Sequence, residues 1–224
     1  MLIIGLTGSI GMGKTTAANT FRRLGVPVYD SDSVVHEMLS AGGVAVEPVA
    51  KMFPDVVSGG AVDRTRLGDA VFGRPEKLSA LEKILHPMVA SQKNRFLAMS
   101  MRGRKKQVVI DSPLLFETGG DFACDITVTV SAPDFVQERR VLARPGMSKE
   151  RLCKILDNQM PDYKKRVRSD FVVLTGLGQI DSFRQIYKIL QKTSDWRPQK
   201  WRPGLSQPNG GWGEVRPNIL PRNV

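Results

Sequence analysis

Eight residues near the start of the chain, Gly8-Ser9-Ile10-Gly11-Met12-Gly13-Lys14-Thr15, satisfy G-x-x-x-x-G-K-[ST] at every fixed position. Each residue type has a physical reason to be there. Glycines at 8, 11 and 13 let backbone N–H groups turn inward without a Cβ in the way, which makes a nest for an anion. A helix starting at Lys14 adds the partial positive charge of its N-terminus beneath the phosphates. The Lys14 ammonium is a point charge for β- and γ-phosphates, and the Thr15 hydroxyl is a ligand for Mg2+. Gly8, Gly11, Met12, Gly13, Lys14, Thr15 and Thr16 are therefore the expected nucleotide-binding residues, with ATP as the donor.

Such a loop works only if a buried strand leads into it and a helix leads out. Leu2 to Thr7 is an apolar run of the kind buried on both faces of a parallel sheet. Lys14 to Leu24 places Ala17, Ala18, Phe21 and Leu24 at helical spacing, and Gly25 follows as a stop. Further strands are expected at Val26–Tyr29, Lys106–Asp111, Asp125–Val130 and Phe171–Leu174, with Pro27 favouring an edge strand. Helices are expected over Pro133–Arg144, Ser148–Asn158 and Asp181–Gln191, and residues 33 to about 104 read as mostly helical. Strands separated by helices predict an α/β fold, a P-loop NTPase-type parallel five-stranded sheet flanked by helices. The expected organisation is a core of 1–32 and 105–192 that includes a helical lid at about 137–168. A helical substrate region at 33–104 and a tail at 193–224 complete it.

That tail holds five of the 14 prolines and all three tryptophans, Trp196, Trp201 and Trp212, without helical or strand period. It is expected to be disordered or loosely docked. The chain carries a formal net charge of +11, and ten basic against four acidic residues lie between Gln137 and Arg168. Concentration of that charge in one stretch suits a phosphorylated small molecule better than a long polyanion. Lys93 to Lys106, with six basic and no acidic residues, fits a solvated helix face. Cys124 and Cys153 form no C-x-x-C, so metal or redox work by thiols is not expected. The uncharged start is too short for a bilayer and lacks the basic leader of a signal peptide, so a cytoplasmic location is expected. No Asn-Lys-x-Asp segment for guanine is present, and the chain is short for a motor; a small-molecule kinase is the reading these features favour.

Beyond the loop, a series of segments resembles the dephospho-CoA kinase family from Leu2 to about Gln191. It includes Val28-Tyr29-Asp30-Ser31-Asp32, Arg64 with Leu67, Val71-Phe72, Leu85-His86-Pro87 and Asp111-Ser112-Pro113-Leu114-Leu115-Phe116-Glu117. Gln137, Arg140, Arg144, Gln159 and Ser169-Asp170 complete it. The resemblance implies transfer of the ATP γ-phosphoryl to the ribose 3′-hydroxyl of dephospho-CoA. It also implies a core sheet, a helical substrate domain and a lid. The expected partners are ATP and dephospho-CoA, with no nucleic acid and no membrane, in a monomer or weak oligomer.

Asp32 follows a strand end beside the first βα turn, where open α/β sheets bind ligands, and it can orient the acceptor hydroxyl. A helix N-cap at Ser31 or Asp32 is an alternative reading that does not exclude this role. Asp30 suits the magnesium shell or the loop. Arg140 and Arg144, four apart, would share a helix face and meet the moving phosphoryl charge. Asp111 ends a strand and can reach magnesium through water. Pro113, Leu114, Leu115 and Glu117 are expected to shape the substrate side of the cleft. His86, before Pro87 at a position that disfavours helix, reads as structural or substrate-lining. Ser9 stands where many members have glycine, and Leu174-Thr175-Gly176 replaces the family's D-N-x-G, leaving the adenine contact without its usual residues. Two alternatives stay open: a P-loop kinase for a nucleoside monophosphate or another small acceptor, and a nucleotide-switched nucleic-acid-binding protein.

Overall fold

The computed structural model describes residues 1–71 and 73–200. The apolar run at the start forms β1, Leu2–Thr7, buried at every position. It passes through the glycine loop into α1, Lys14–Arg23, which buries Ala17, Ala18 and Phe21 against the sheet. Gly25, at φ 79°, takes the left-handed conformation that ends this helix. The remaining strands of the main sheet are β2 (Val28–Asp30), β5 (Gln107–Asp111), β6 (Ile126–Ser131) and β7 (Phe171–Leu174). Two short strands, β3 (Val57–Ser58) and β4 (Ala61–Val62), pair antiparallel elsewhere. The order of the main sheet is β2-β5-β1-β6-β7, parallel across β5–β1, β1–β6 and β6–β7. Pro27, with no N–H to donate, lies just before the edge strand β2, and its carbonyl accepts the Val109 N–H at 2.9 Å.

The register of these strands decides what reaches the loop. Leu6 on β1 pairs with Asp111, so β5 ends its last carboxylate beside the point where β1 turns into glycines. Ser131 pairs with Leu174, and the Thr175 N–H bonds the Ser131 carbonyl at 2.9 Å, so β7 delivers Thr175 to the same end of the sheet.

The chain divides into two compact units, Met1–Tyr29 with the chain from Met99 onward, and Asp30–Ala98. The cuts fall at the end of β2 and inside a helix. The second unit contains α2 (Ser31–Leu39), α3 (Val46–Met52), a 3-10 turn at Pro54–Val56, the hairpin of β3 and β4, α4 (Arg64–Val71) and the first part of α5 (Pro75–Arg102). Its own core is built from Met38, Leu39, Val49, Phe53, Val56, Val62, Leu67 and Leu81. Two features correct the reading of this region as helix punctuated by breaks. Gly59 and Gly60, at φ 59° and 77°, make a two-residue hairpin turn, because both central positions of that turn need the left-handed region. Pro87 does not interrupt helix at His86: α5 runs through it for 28 residues, long enough to absorb one missing N–H.

In the first unit, α6 (Asp134–Leu142), α7 (Lys149–Asp157) and α8 (Asp162–Arg168) follow β6, and α9 (Gln179–Lys192) packs on α1 and β7. The start of the extension, residues 193–200, lies against the first unit. Thr193 is buried at the end of α9 and accepts the Gln107 side-chain amide at 2.9 Å. The Trp196 ring lies 6.0 Å from that of Phe171. Asp125 bonds the Ile3 N–H through one oxygen and the Gln199 and Lys200 N–H groups through the other. Phe72, Trp201, Trp212 and the rest of residues 201–224 lie outside the described residues.

Candidate active site

The loop's glycines are required by geometry at three positions. A Cβ on Gly8 would sit 2.7 Å from the Val130 carbonyl oxygen, and one on Gly11 would sit 2.6 Å from Val141 Cγ2. Gly11 and Gly13 are also left-handed, at φ 77° and 91°. Among the described residues Arg104 is the one non-glycine at positive φ, so Ser9 is accommodated without that strain. Helix α1 begins directly after Gly13 with no side-chain cap and no acidic residue in its first turn. Its leading N–H groups are thus served by no side-chain cap of the kind most helices use, the arrangement in which helix N-termini receive anions. Lys14 Nζ lies 2.7 Å from Asp111 Oδ1, and that carboxylate is only 2% exposed. Thr15 and Thr16 are exposed at the head of the helix.

Side chains from distant parts of the chain hold this loop. Gln159 Oε1 accepts the Ile10 N–H at 3.1 Å, and Gln137 Nε2 donates to the Ile10 carbonyl at 2.8 Å. Thr175 Oγ1 donates to the Met12 carbonyl at 2.7 Å. Arg140 donates to the Thr175 hydroxyl at 3.0 Å and to its carbonyl at 2.8 Å, with a longer contact to the Gly11 carbonyl at 3.4 Å. Met12 is itself buried, and its sulfur takes the Ala132 N–H. Thr175, placed in the sequence only by its departure from an adenine-contact pattern, is here a buried junction between β7, the loop and Arg140.

The two arginines are not on one helix face. α6 ends at Leu142, and Arg144 follows in the turn before Pro145. Proline disfavours helical backbone in the residue before it, and so close to the end of α6 no long helix offsets that bias. Arg139, by contrast, is exposed on α6.

Pro113 to Glu117 are pinned by a lysine that no motif pointed to. Lys165 on α8 is fully buried, and its ammonium lies 2.9 Å from Glu117 Oε1 and 2.8 Å from the Pro113 carbonyl. Glu117 Oε1 also accepts the Met160 N–H at 2.7 Å. A buried ammonium needs such partners because desolvation penalises its charge. Asp162 at the start of α8 accepts the Ser131 hydroxyl, while burial pushes its carboxyl pKa upward. Leu114 is exposed and Pro113 half-buried, so both present surface. Leu115 does not: it is fully buried, with its side chain against Gly5, and belongs to the core rather than to a lining.

Asp30, Asp32, His36 and His86 belong to the second unit. Asp30, not Ser31 or Asp32, is the N-cap of α2: its Oδ1 accepts the N–H groups of Asp32 at 3.1 Å and Ser33 at 3.0 Å. Asp32 is left as an exposed residue of the first turn, where a carboxylate is favoured by the helix dipole. His36 is exposed and 3.2 Å from an Arg64 nitrogen. His86 is exposed midway along α5. The structure therefore gathers Gly8 to Thr15, Asp111 and Arg140 in one place. Gln137, Gln159, Thr175 and Lys165 join them as residues whose roles the sequence left unassigned.

Comparison with known proteins gives these features a common setting. A model of the family described as dephospho-CoA kinase matches residues 2–180. A dephospho-CoA kinase of Paramagnetospirillum magneticum is 56% identical over 166 residues, covering 74% of this chain and 78% of its own. One from Rhodospirillum rubrum is 47% identical over 204 residues, covering 91% and 96%. Among solved structures, that of a Thermus thermophilus protein superposes with a TM-score of 0.72 at 36% identity, covering 85% of this chain and 96% of its own.

Proposed function

The chain belongs to the dephospho-CoA kinase family, and from that premise we propose that it moves the γ-phosphoryl group of ATP onto the ribose 3′-hydroxyl of dephospho-CoA, giving coenzyme A and ADP. The observation that carries the donor half is the loop itself, with left-handed Gly11 and Gly13 leading into an uncapped helix and Lys14 at its head. The acceptor half rests on family membership.

In this reading the N–H groups of the loop and of α1 bind the triphosphate, and the Lys14 ammonium turns from Asp111 toward the β- and γ-phosphates. Asp32 orients the 3′-hydroxyl and takes its proton as the new oxygen–phosphorus bond forms. Because phosphoryl-transfer transition states are loose, its task is more positional than basic, which suits an exposed carboxylate. Arg140 and Arg144 stabilise the charge in transit, Arg140 from its seat on Thr175 and Arg144 from the turn after α6. Pro113 and Leu114 line the acceptor side, Glu117 holds them in place through Lys165, and His86 contributes from α5. The donor set fits magnesium, which takes oxygen ligands and keeps several waters. Thr15 would hold the ion through its hydroxyl and Asp111 through water, and the ion would supply charge neutralisation on the phosphates. No helix among the described residues is long and apolar enough to cross a membrane.

A coupled ADP-release assay with dephospho-CoA, AMP and CMP as acceptors tests this directly. Turnover is expected with dephospho-CoA alone, and the product carries a 3′-phosphate. Turnover with AMP or CMP and none with dephospho-CoA would replace the acceptor. Salt-sensitive nucleic-acid binding with no phosphotransfer would replace the class of function.

A further inference from the structure

We propose that Gln137 and Gln159 are positioning residues for ATP, holding the peptide units on either side of Ile10 so that the loop's N–H groups face the phosphates. The inference rests on the reading of the loop as the ATP site and assigns a role to two side chains outside it.

In a planar trans peptide the C=O and the next residue's N–H point in opposite directions. Gln137 Nε2 draws the Ile10 carbonyl toward α6, so the N–H of Gly11 is aimed away from α6. Thr175 Oγ1 draws the Met12 carbonyl toward β7, which aims the N–H of Gly13 away from that strand in the same manner. Gln159 Oε1 takes the Ile10 N–H, fixing the preceding peptide as well, so both dihedrals of Ile10 are set. The two amides play opposite parts, one donor and one acceptor, and the backbone dictates which is which. Gln137 is 6% exposed, so its amide has little water to turn to if the bond to Ile10 is lost. Gln159 sits in the junction between α7 and α8, where the next residue, Met160, is tied to Glu117. The pair thereby links both arms of the α6–α7 region to the loop.

The opposite parts supply a charge-matched test. Gln159→Glu keeps an oxygen acceptor for the Ile10 N–H, whereas Gln137→Glu sets a carboxylate against the Ile10 carbonyl. Both add one negative charge near the triphosphate, so comparing them cancels that effect. Calorimetric titration with ATP and magnesium, with no acceptor present, should give a dissociation constant at least tenfold larger for Gln137→Glu than for Gln159→Glu. Equal constants, or the reverse order, would overturn the proposal. So would a fall in the melting temperature of the free variants with ATP affinity unchanged, since a purely structural role predicts that. If Gln137→Glu does not fold, Gln137→Met and Gln159→Met, which keep the side-chain length without its hydrogen bond, decide the same point: weaker ATP binding by each is expected, and binding equal to wild type overturns it. A wild-type protein that binds ATP but does not phosphorylate dephospho-CoA would sink the acceptor assignment and leave this inference standing.

Discussion

The phosphate loop and the Asp30–Asp32 turn both carry expected site residues, yet they are held in opposite ways. The loop's backbone is fixed by Gln137, Gln159 and Thr175, between 127 and 163 positions away in sequence. The Asp30 turn is fixed by its own carboxylate, two and three residues from the N–H groups it caps. A site that must present several N–H groups to one ligand needs restraint from outside, because each bond the loop makes to itself, such as that from the Met12 N–H to the Ser9 carbonyl, uses up one of those donors. A site that must present one exposed carboxylate needs no more than a helix start. Damage to the loop should therefore be felt in nucleotide binding and in stability together, while damage at Asp32 should be confined to turnover.

The largest expected effect is at Lys14. Lys14→Ala should lower kcat/KM by about a hundred- to a thousandfold, roughly 3–4 kcal/mol, the loss seen when one preorganised electrostatic contact to developing charge is removed. It should also lower the melting temperature, since the buried Asp111 carboxylate loses the ammonium 2.7 Å away. Adding Asp111→Asn should return much of the stability and none of the activity, separating the two jobs of the lysine. Turnover within tenfold of wild type in the single variant would show that the ammonium stays with Asp111 rather than serving the phosphates.

Asp32→Asn comes next. Steady-state kinetics should show kcat down by about a hundredfold, at the low end of what a positioned acid–base group contributes, with both KM values and the melting temperature nearly unchanged. A shifted melting temperature would contradict the contrast with the loop. Near-normal turnover would remove Asp32 from the chemistry.

What could be read in the sequence follows the same division. The strand–loop–helix unit was legible because its signals are local: an apolar run, fixed glycines and helical spacing within 24 residues. Phe171–Leu174 was legible for the same reason, and matches β7 residue for residue. The hairpin at Gly59-Gly60 was missed because two-residue strands leave no alternation to count, although the paired glycines were the available signal. The run of α5 through Pro87 was missed because a local rule about the residue before proline lost to the length of the helix around it. Lys165 and Thr175 could not have been found at all from spacing: a lysine in a basic stretch reads as solvated, and only the register of β6 with β7 and the packing of α8 bury them. Gln137 and Gln159 stood among the family's residues, but their opposite hydrogen-bonding parts depend on which backbone group each one meets.

The smallest expected effect is the one that most sharpens the contrast between the regions. Asp30 and Asp32 are two residues apart, and either carboxylate could be imagined at the acceptor. The structure gives Asp30 the capping bonds, so Asp30→Ala should cost about 1 kcal/mol of stability, the usual loss for an N-cap aspartate. For a protein of this size that is a fall of roughly 2–4 °C in melting temperature. Its kcat should drop less than that of Asp32→Asn, because fraying of the first turn of α2 displaces Asp32 part of the time without removing it. Asp30→Asn, which retains an acceptor for the two N–H groups, should recover both the melting temperature and kcat. If instead Asp30→Asn lost as much turnover as Asp32→Asn while melting normally, the charge on Asp30 would be the one the reaction uses. The local turn would then hold the catalytic group itself rather than the support beneath it.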